Sequence, residues 1–337
     1  MIKLLVIGDL HSKRSNQDDL SQCVKTISDN IAKLSPKAII ILGDLANDHE
    51  KIHLSSLNGI VNVFNNVCQE AEKINAKVYY IPGNHDYIHN QVFLEDVHAF
   101  NAFKKWPNLM IIDRPIRMKS SDGYITMCPY VATGRFIEAL DTIGREKWME
   151  STVIFCHQEF YGAKHNNIEF KNGDKWGELL PLVISGHIHT YSKVGDNVIY
   201  VGSPYDINFG EEGDKGIHLF HFENTKLSYH QMINLDLPKK ITIKLTVEEA
   251  ISYAPPDNAN IRAYIYGTTQ DFMKFKKTKI FDDLAKKIKI IPHITDPVKV
   301  AEKNKRKGYL DILIEECKKE NKYVRSVLDE ISNRKEE

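Results

Sequence analysis

Short apolar runs rich in β-branched residues alternate, over the first two thirds of the chain, with longer segments in which apolar positions recur every three or four residues. The short runs are Lys3 to Ile7, Ala38 to Leu42, Lys77 to Ile81, Thr152 to Cys156, Leu182 to Ser185 and Val198 to Val201. Their near-continuous hydrophobicity is that of strands covered on both faces, which predicts an α/β protein with parallel pairing. Between the first two runs, Val24, Ile27, Ile31 and Leu34 form one helical stripe, which Ser35-Pro36 ends. Between the second and third, Leu57, Ile60, Val61, Phe64, Val67, Ala71 and Ile74 form another. The order predicts two consecutive βαβ units followed by a more strand-rich half.

The texture changes near Leu235: Leu237-Pro238 and Pro255-Pro256 punctuate the chain and lysine crowds the stretch from Lys274 to Lys289. A strand is expected over Ile261 to Tyr266, then a short helix from Lys279 to Ile288 leading into Ile290-Ile291. Helical spacing returns with Leu310, Leu313, Ile314 and Cys317, then Val324, Val327, Leu328 and Ile331. The expected organisation is a main domain over 1–235, a small α/β cap-like module over 236–297 and C-terminal helices over 298–337.

Composition narrows the classes. With 45 Lys+Arg against 45 Asp+Glu the net charge is zero, so nothing draws the whole molecule to nucleic acid or an acidic membrane, although a local basic face is compatible with it. The 5 cysteines are odd in number, scattered and without a CxxC, which argues against a disulfide framework and a thiolate zinc site and favours a reducing, cytoplasmic compartment. No apolar stretch approaches the roughly 20 residues of a membrane span.

Five of the short runs end in residues that bind metals: Asp9-Leu10-His11, Gly43-Asp44, Gly83-Asn84-His85-Asp86, His157, and Gly186-His187-Ile188-His189. Ligands in open α/β sheets gather at the carboxyl ends of strands, so these segments are expected to converge on one edge. A glycine before four of them frees the backbone to turn off the strand. In Asp9-x-His11 and His187-x-His189, alternate residues of an extended segment face one side. A lone His after a strand is more often structural, and Gly-Asp is ordinary turn chemistry. Five such segments in this order outweigh that reading. Oxygen and imidazole donors without sulfur suit Mn, Fe, Zn or Mg. Asp9, His11, Asp44, Asn84, His157, His187 and His189 are more ligands than one ion needs. Two ions about 3.5–4 Å apart, bridged by a carboxylate, would use them, and Asp44 is the natural bridge.

These segments together resemble the full motif set of the calcineurin-like metallophosphoesterases, over roughly Met1 to Leu235. The resemblance implies a four-layer αββα sandwich and a two-metal site, Mn²⁺ first, with Fe, Zn or Mg as alternatives. It places Asp9, His11, Asp44 and His189 on one ion, and Asp44, Asn84, His157 and His187 on the other. Val201-Gly202-Ser203-Pro204 with Phe209-Gly210-Glu211 and Lys215-Gly216 is similar to the corresponding stretch of SbcD-type nuclease subunits. His157-Gln158-Glu159-Phe160-Tyr161-Gly162 with Gly173-Asp174-Lys175-Trp176 resembles phosphoesterases of phages and large DNA viruses. The implied partners are DNA and an SbcC-type ATPase, with a homodimer as a further option. Where many cellular nucleases of this branch carry a second catalytic His, three residues after the bridging Asp, this chain has Asn47, with His49 and His53 nearby. The Gly-Asp motif also lacks the Val-Asp-Arg-Gly continuation of serine/threonine phosphatases, and the Tyr ligand of purple acid phosphatases is missing.

His85, beside the ligand Asn84 on a tight turn, is expected to act as general acid or phosphate-orienting group, and Asp86 to hold its imidazole. His49, His53, His89, His98 and His165 are candidates to line the cleft, against a bland reading as solvated loop residues. Arg135 and Arg145 could hold a phosphate, or sit on the surface. The lysines from Lys274 to Lys307 read as a solvated face or a DNA-backbone contact. The expected function is a two-metal phosphodiester hydrolase acting on DNA in repair, recombination or replication, and the alternative is a stand-alone phosphoesterase for a nucleotide or other small molecule.

Overall fold

The structure, a computed structural model, describes residues 1–165 and 168–296. The helices expected over 298–337, and Cys317 with them, lie outside the described residues.

In the first sheet Ile2–Ile7, Ala38–Ile41, Lys77–Tyr80 and Leu109–Ile111 run parallel, and the hairpin of Ile217–Glu223 and Lys226–Ile233 adds antiparallel to the free side of Ile2–Ile7. The second sheet runs, in spatial order, Ser192–Val194, Val198–Tyr200, Leu182–Ser185, Val153–Cys156, Gly123–Cys128 and Ile116–Ser120, parallel at its centre and antiparallel at both edges. Alternation along each strand sorts its side chains into layers. Leu5 and Ile7 pack with Val24, Ile27, Phe64 and Val67 of helices Gln17–Leu34 and Leu54–Lys73, whereas Leu4 and Val6 face Phe155 and Ile184 of the other sheet. Ile154, Cys156 and Tyr200 point the opposite way, to Phe136 and Trp148 of the short helices Phe136–Asp141 and Arg145–Met149. The result is a four-layer αββα sandwich. Its middle layer holds one set of strand ends against the other, and truncating a buried ring there, as in Phe155→Ala, would cost about 3–5 kcal/mol.

A third, all-parallel sheet of Lys239–Thr246, Ala259–Gly267 and Lys289–Ile294 follows. Its helices Val247–Ser252, Thr269–Phe275 and Lys279–Lys287 each begin behind a threonine (Thr246, Thr268, Thr278) whose hydroxyl accepts an otherwise orphaned amide. It has its own core of Ile261, Ala263, Ile265, Phe275 and Leu284. Lys240 Nζ stands 2.7 Å from Asp19 Oδ2 and Asn260 donates to Asp19 at 3.3 Å, tying this sheet to the first long helix.

Cys23, Cys68, Cys128 and Cys156 are free and buried. Among the described residues no helix is long and apolar enough to cross a membrane.

Candidate metal centre

All seven expected ligands meet at one edge of the two sheets. Asp44 stands at the middle. Its Oδ1 accepts the His85 backbone N–H at 2.9 Å, while Oδ2 lies 3.5 Å from His11 Nε2 and 3.3 Å from His157 Nε2. One carboxylate oxygen is thereby a shared corner of two cages. In the first, His11 Nε2 is 3.1 Å from His189 Nε2, which is 3.8 Å from Asp9 Oδ2. In the second, Asn84 Oδ1 lies 3.0 Å from both His157 Nε2 and His187 Nδ1, and those two nitrogens are 3.3 Å apart.

The donor set fits a cation. His157 donates Nδ1–H to the Leu42 carbonyl at 2.6 Å, so the neutral ring aims a lone pair at the oxygens of Asn84 and Asp44, acceptor against acceptor. Burial alone would lower the His157 pKa, but the Asp44 and Asp9 carboxylates outweigh it and hold the imidazolium up to about 9. Burial would likewise raise the Asp44 carboxyl, yet His157 and His11 keep it well below the usual carboxylate range. A divalent ion held by these residues would take the place of that proton. Among the other three cage imidazoles, His11 Nδ1 is buried with no hydrogen-bond partner among the described residues, and the far nitrogens of the remaining two meet carboxylates: His189 Nδ1 lies 3.3 Å from Glu211 Oε1, and His187 Nε2 lies 3.7 Å from Glu159 Oε2. These are the outer partners that orient metal-bound histidines.

The backbone reaches this arrangement differently from the sequence expectation. His11, Asp44 and His187 have φ of 43°, 48° and 84°, so the ligand pairs face the cleft across sharp turns and not along extended segments. Such strain in non-glycine residues concentrates at functional sites. Of the four preceding glycines only Gly43 has positive φ, at 86°. Crowding accounts for the others: a Cβ on Gly83 would stand 2.3 Å from Asp44 Oδ1.

The expected role of Asp86 is corrected. Its buried carboxylate accepts the backbone N–H of Asp44, Ala46 and Gly83 and the Tyr80 hydroxyl, and so pins the ligand turns to one another. Burial, then the nearby Asp44 charge, raises its pKa to about 7. His85 is instead oriented by a peptide carbonyl, Nδ1 donating to Asn47 O at 2.7 Å. A ring nitrogen of His85 comes within 4.8 Å of ligand atoms of His11 and Asp44, which puts the ring beside the centre.

Of the other histidines, His49 stacks on His85 at 4.8 Å, and both line a pocket with His98. His98 pairs with Asp113, and His89 is exposed and accepts the Gln91 amide N–H. His53 sits at the start of a helix. Arg135 and Arg145 are surface residues, paired with Glu138 and Asp141. Sequence reasoning assigned no role to Glu159, Glu211 or Tyr80. The first two stood inside quoted motifs, which was a signal without a mechanism.

The calcineurin-like phosphoesterase family model matches residues 2–191. The chain is 38% identical over 287 residues to a protein of Invertebrate iridescent virus 6 provisionally named phosphoesterase 244L, over 82% of this chain and 98% of that one. It is 33% identical over 324 residues to the similarly named 078R of Invertebrate iridescent virus 3, over 93% and 91% of the two chains. Among solved structures, a dimetal phosphatase from Danio rerio aligns with 66% of this chain and 93% of its own at 9% identity and a TM-score of 0.40.

Proposed function

Because this chain belongs to the calcineurin-like phosphoesterase family and is a metal-dependent phosphoester hydrolase, we propose that its substrate is a phosphodiester of DNA, cut in repair, recombination or replication as in SbcD-type nucleases. The observation that carries this reading is a cleft of about 750 Å³ between the sandwich and the third sheet, lined by Lys13, Lys240, Arg262, Lys286, Lys287 and Lys289. In a chain of zero net charge this is a local basic face. Asp19 neutralises Lys240 and Asp283 pairs with Lys286, so the attraction rests mainly on the remaining four. Lys13 follows His11 by two residues and donates to Asn208 Oδ1 at 2.7 Å, and Asn208 donates in turn to Glu211, the carboxylate against His189, so hydrogen bonds link the lining of the cleft to the first cage. A strand following it by its phosphates would arrive at the ligands.

Two divalent ions, when bound, would acidify a water near neutral pH and stabilise charge on the phosphoryl oxygens. Asp9, His11, Asp44 and His189 would hold one, and Asp44, Asn84, His157 and His187 the other. His85, steered by Asn47, is placed to orient the phosphate or give a proton to the departing alkoxide. Asp86 and Tyr80 keep the turns from relaxing. Mn²⁺ is the first choice for donors of this hardness, with Fe, Zn or Mg as alternatives. Two viral relatives support a viral origin.

A second reading, a small phosphorylated substrate, is favoured by the pocket of about 330 Å³ beside His85, whose lining includes His49, Ile52, Ile88, Val97 and His98. Incubation with Mn²⁺ and labelled DNA, bis-p-nitrophenyl phosphate or p-nitrophenyl phosphate separates the two. DNA cleavage supports the nuclease; turnover of the monoester with intact DNA supports the second reading.

A further inference from the structure

We propose that Glu211 and Lys215 are positioning residues for His189, fixing the tautomer and the backbone place from which this ring presents Nε2 to the first cage. Both lie beyond the 2–191 stretch that the family model matches. The inference rests on the reading of His189 as a metal ligand.

Glu211 Oε1 stands 3.3 Å from His189 Nδ1, on the side of the ring away from the cage. An ionised carboxylate only accepts, so the ring nitrogen facing it carries the proton and Nε2 keeps its lone pair. Glu211 has little freedom to do otherwise. It accepts the backbone N–H groups of Ile207 at 3.2 Å and Asn208 at 3.1 Å, and the Lys215 ammonium at 2.8 Å. Lys215 uses its other two donors on the His189 carbonyl, at 2.7 Å, and Ser203 Oγ, at 3.0 Å. Ser203 N–H reaches the same carbonyl at 3.1 Å. The clamp thus grips His189 at its ring and its main chain. Ser203, Glu211 and Lys215 come from the three separate pieces of one sequence motif, and this contact is what unites them.

The side chains of Glu211 and Lys215 are each 9% exposed. A buried ion pair is weak evidence of stabilisation, since desolvation offsets much of its attraction. A mere staple for the loop would have no need to aim its carboxylate at a metal ligand.

The test uses the metal-free full chain, titrated calorimetrically with Mn²⁺, with circular dichroism to confirm the fold. Wild type should take up two ions. Glu211→Gln keeps the shape but offers an amide that can donate to Nδ1 and so allow the wrong tautomer. It should weaken one of the two sites by about 10- to 100-fold and leave the other unchanged. Two wild-type-like sites in folded Glu211→Gln overturn the inference alone. A wild type that binds no ion overturns it together with the two-ion reading. Should the variant not fold, ¹⁵N-histidine spectra of Zn²⁺-loaded wild type decide, the His189 signals being those lost in His189→Asn. A proton on Nδ1 and none on Nε2 supports the clamp, and a bare Nδ1 overturns it.

Discussion

His85 donates its Nδ1–H to the carbonyl oxygen of Asn47 at 2.7 Å, and Asn47 occupies the position where the resemblance to SbcD-type nucleases leads one to expect a second histidine. Asn47 therefore orients the ring proposed as general acid through its main chain. A general acid contributes typically ~10² to 10⁴ in rate. His85→Gln should keep both ions and slow DNA hydrolysis by about that range, with a smaller loss for a p-nitrophenyl diester, whose leaving group needs no proton. Equal losses on both substrates would indicate phosphate positioning, and loss of an ion would assign His85 to the ligands.

Asp44→Asn should abolish binding of the second ion and nearly all turnover with the fold intact. The shared Oδ2 would offset repulsion between two close dications, and an amide oxygen lacks the charge to do so. Metal analysis of the purified variant, read beside circular dichroism, measures this; two bound ions with near-normal rate would contradict the two-cage reading.

Asp86→Ala should act on stability first. Three backbone amides and the Tyr80 hydroxyl converge on this one buried carboxylate. Each donor left unmet costs about 1–3 kcal/mol, so urea unfolding of metal-free protein should show a loss of at least ~4 kcal/mol. An unchanged midpoint would place Asp86 back in the chemistry.

The stacked pair His218 and His230, 2.9 Å apart between Nδ1 and Nε2, should make the sandwich acid-sensitive independently of metal. Burial lowers their pKa values to about 3 and about 4. The unfolded chain takes up these protons near pH 6.5 and the folded one does not, so stability is full above pH 6.5 and falls as pH drops towards 4. Urea midpoints between pH 7 and 4 should decline less steeply in His218→Phe/His230→Phe, which keeps aromatic contact with Tyr191 and Phe220. Parallel declines would clear the pair of this role.

If the basic cleft guides DNA, charge reversal at the exposed Lys287 and Lys289 should weaken binding at low salt and much less at high salt. Each lost phosphate contact should flatten the slope of log K against log salt by about 0.9. A slope that does not move would leave these lysines as a solvated face.

Much of this site was legible in the chain because its chemistry is local. Five strands each end in a ligand segment, and residue type alone told oxygen and imidazole donors from thiolates. The central strands read out to within a residue or two, since burial on both faces leaves continuous apolar runs such as Ile39–Ile41. The hairpin of Ile217–Glu223 and Lys226–Ile233 was not specified, nor was Lys239–Thr246: polar residues interrupt all three strands, and the pairing that buries Ile217–Glu223 is with Ile2–Ile7, far away in sequence. Tertiary structure alone decided that Asp86 braces backbone, that Asn47 steers His85 and that Glu211 backs His189. A carboxylate carries no mark of whether it will face a metal, an amide or a ring. That depends on which turns the fold brings within about 3 Å: the contacts across 42 and 38 residues close when Ala38–Ile41 pairs with Lys77–Tyr80, and the one across 22 joins a turn of the second sheet to the loop before Ile217–Glu223.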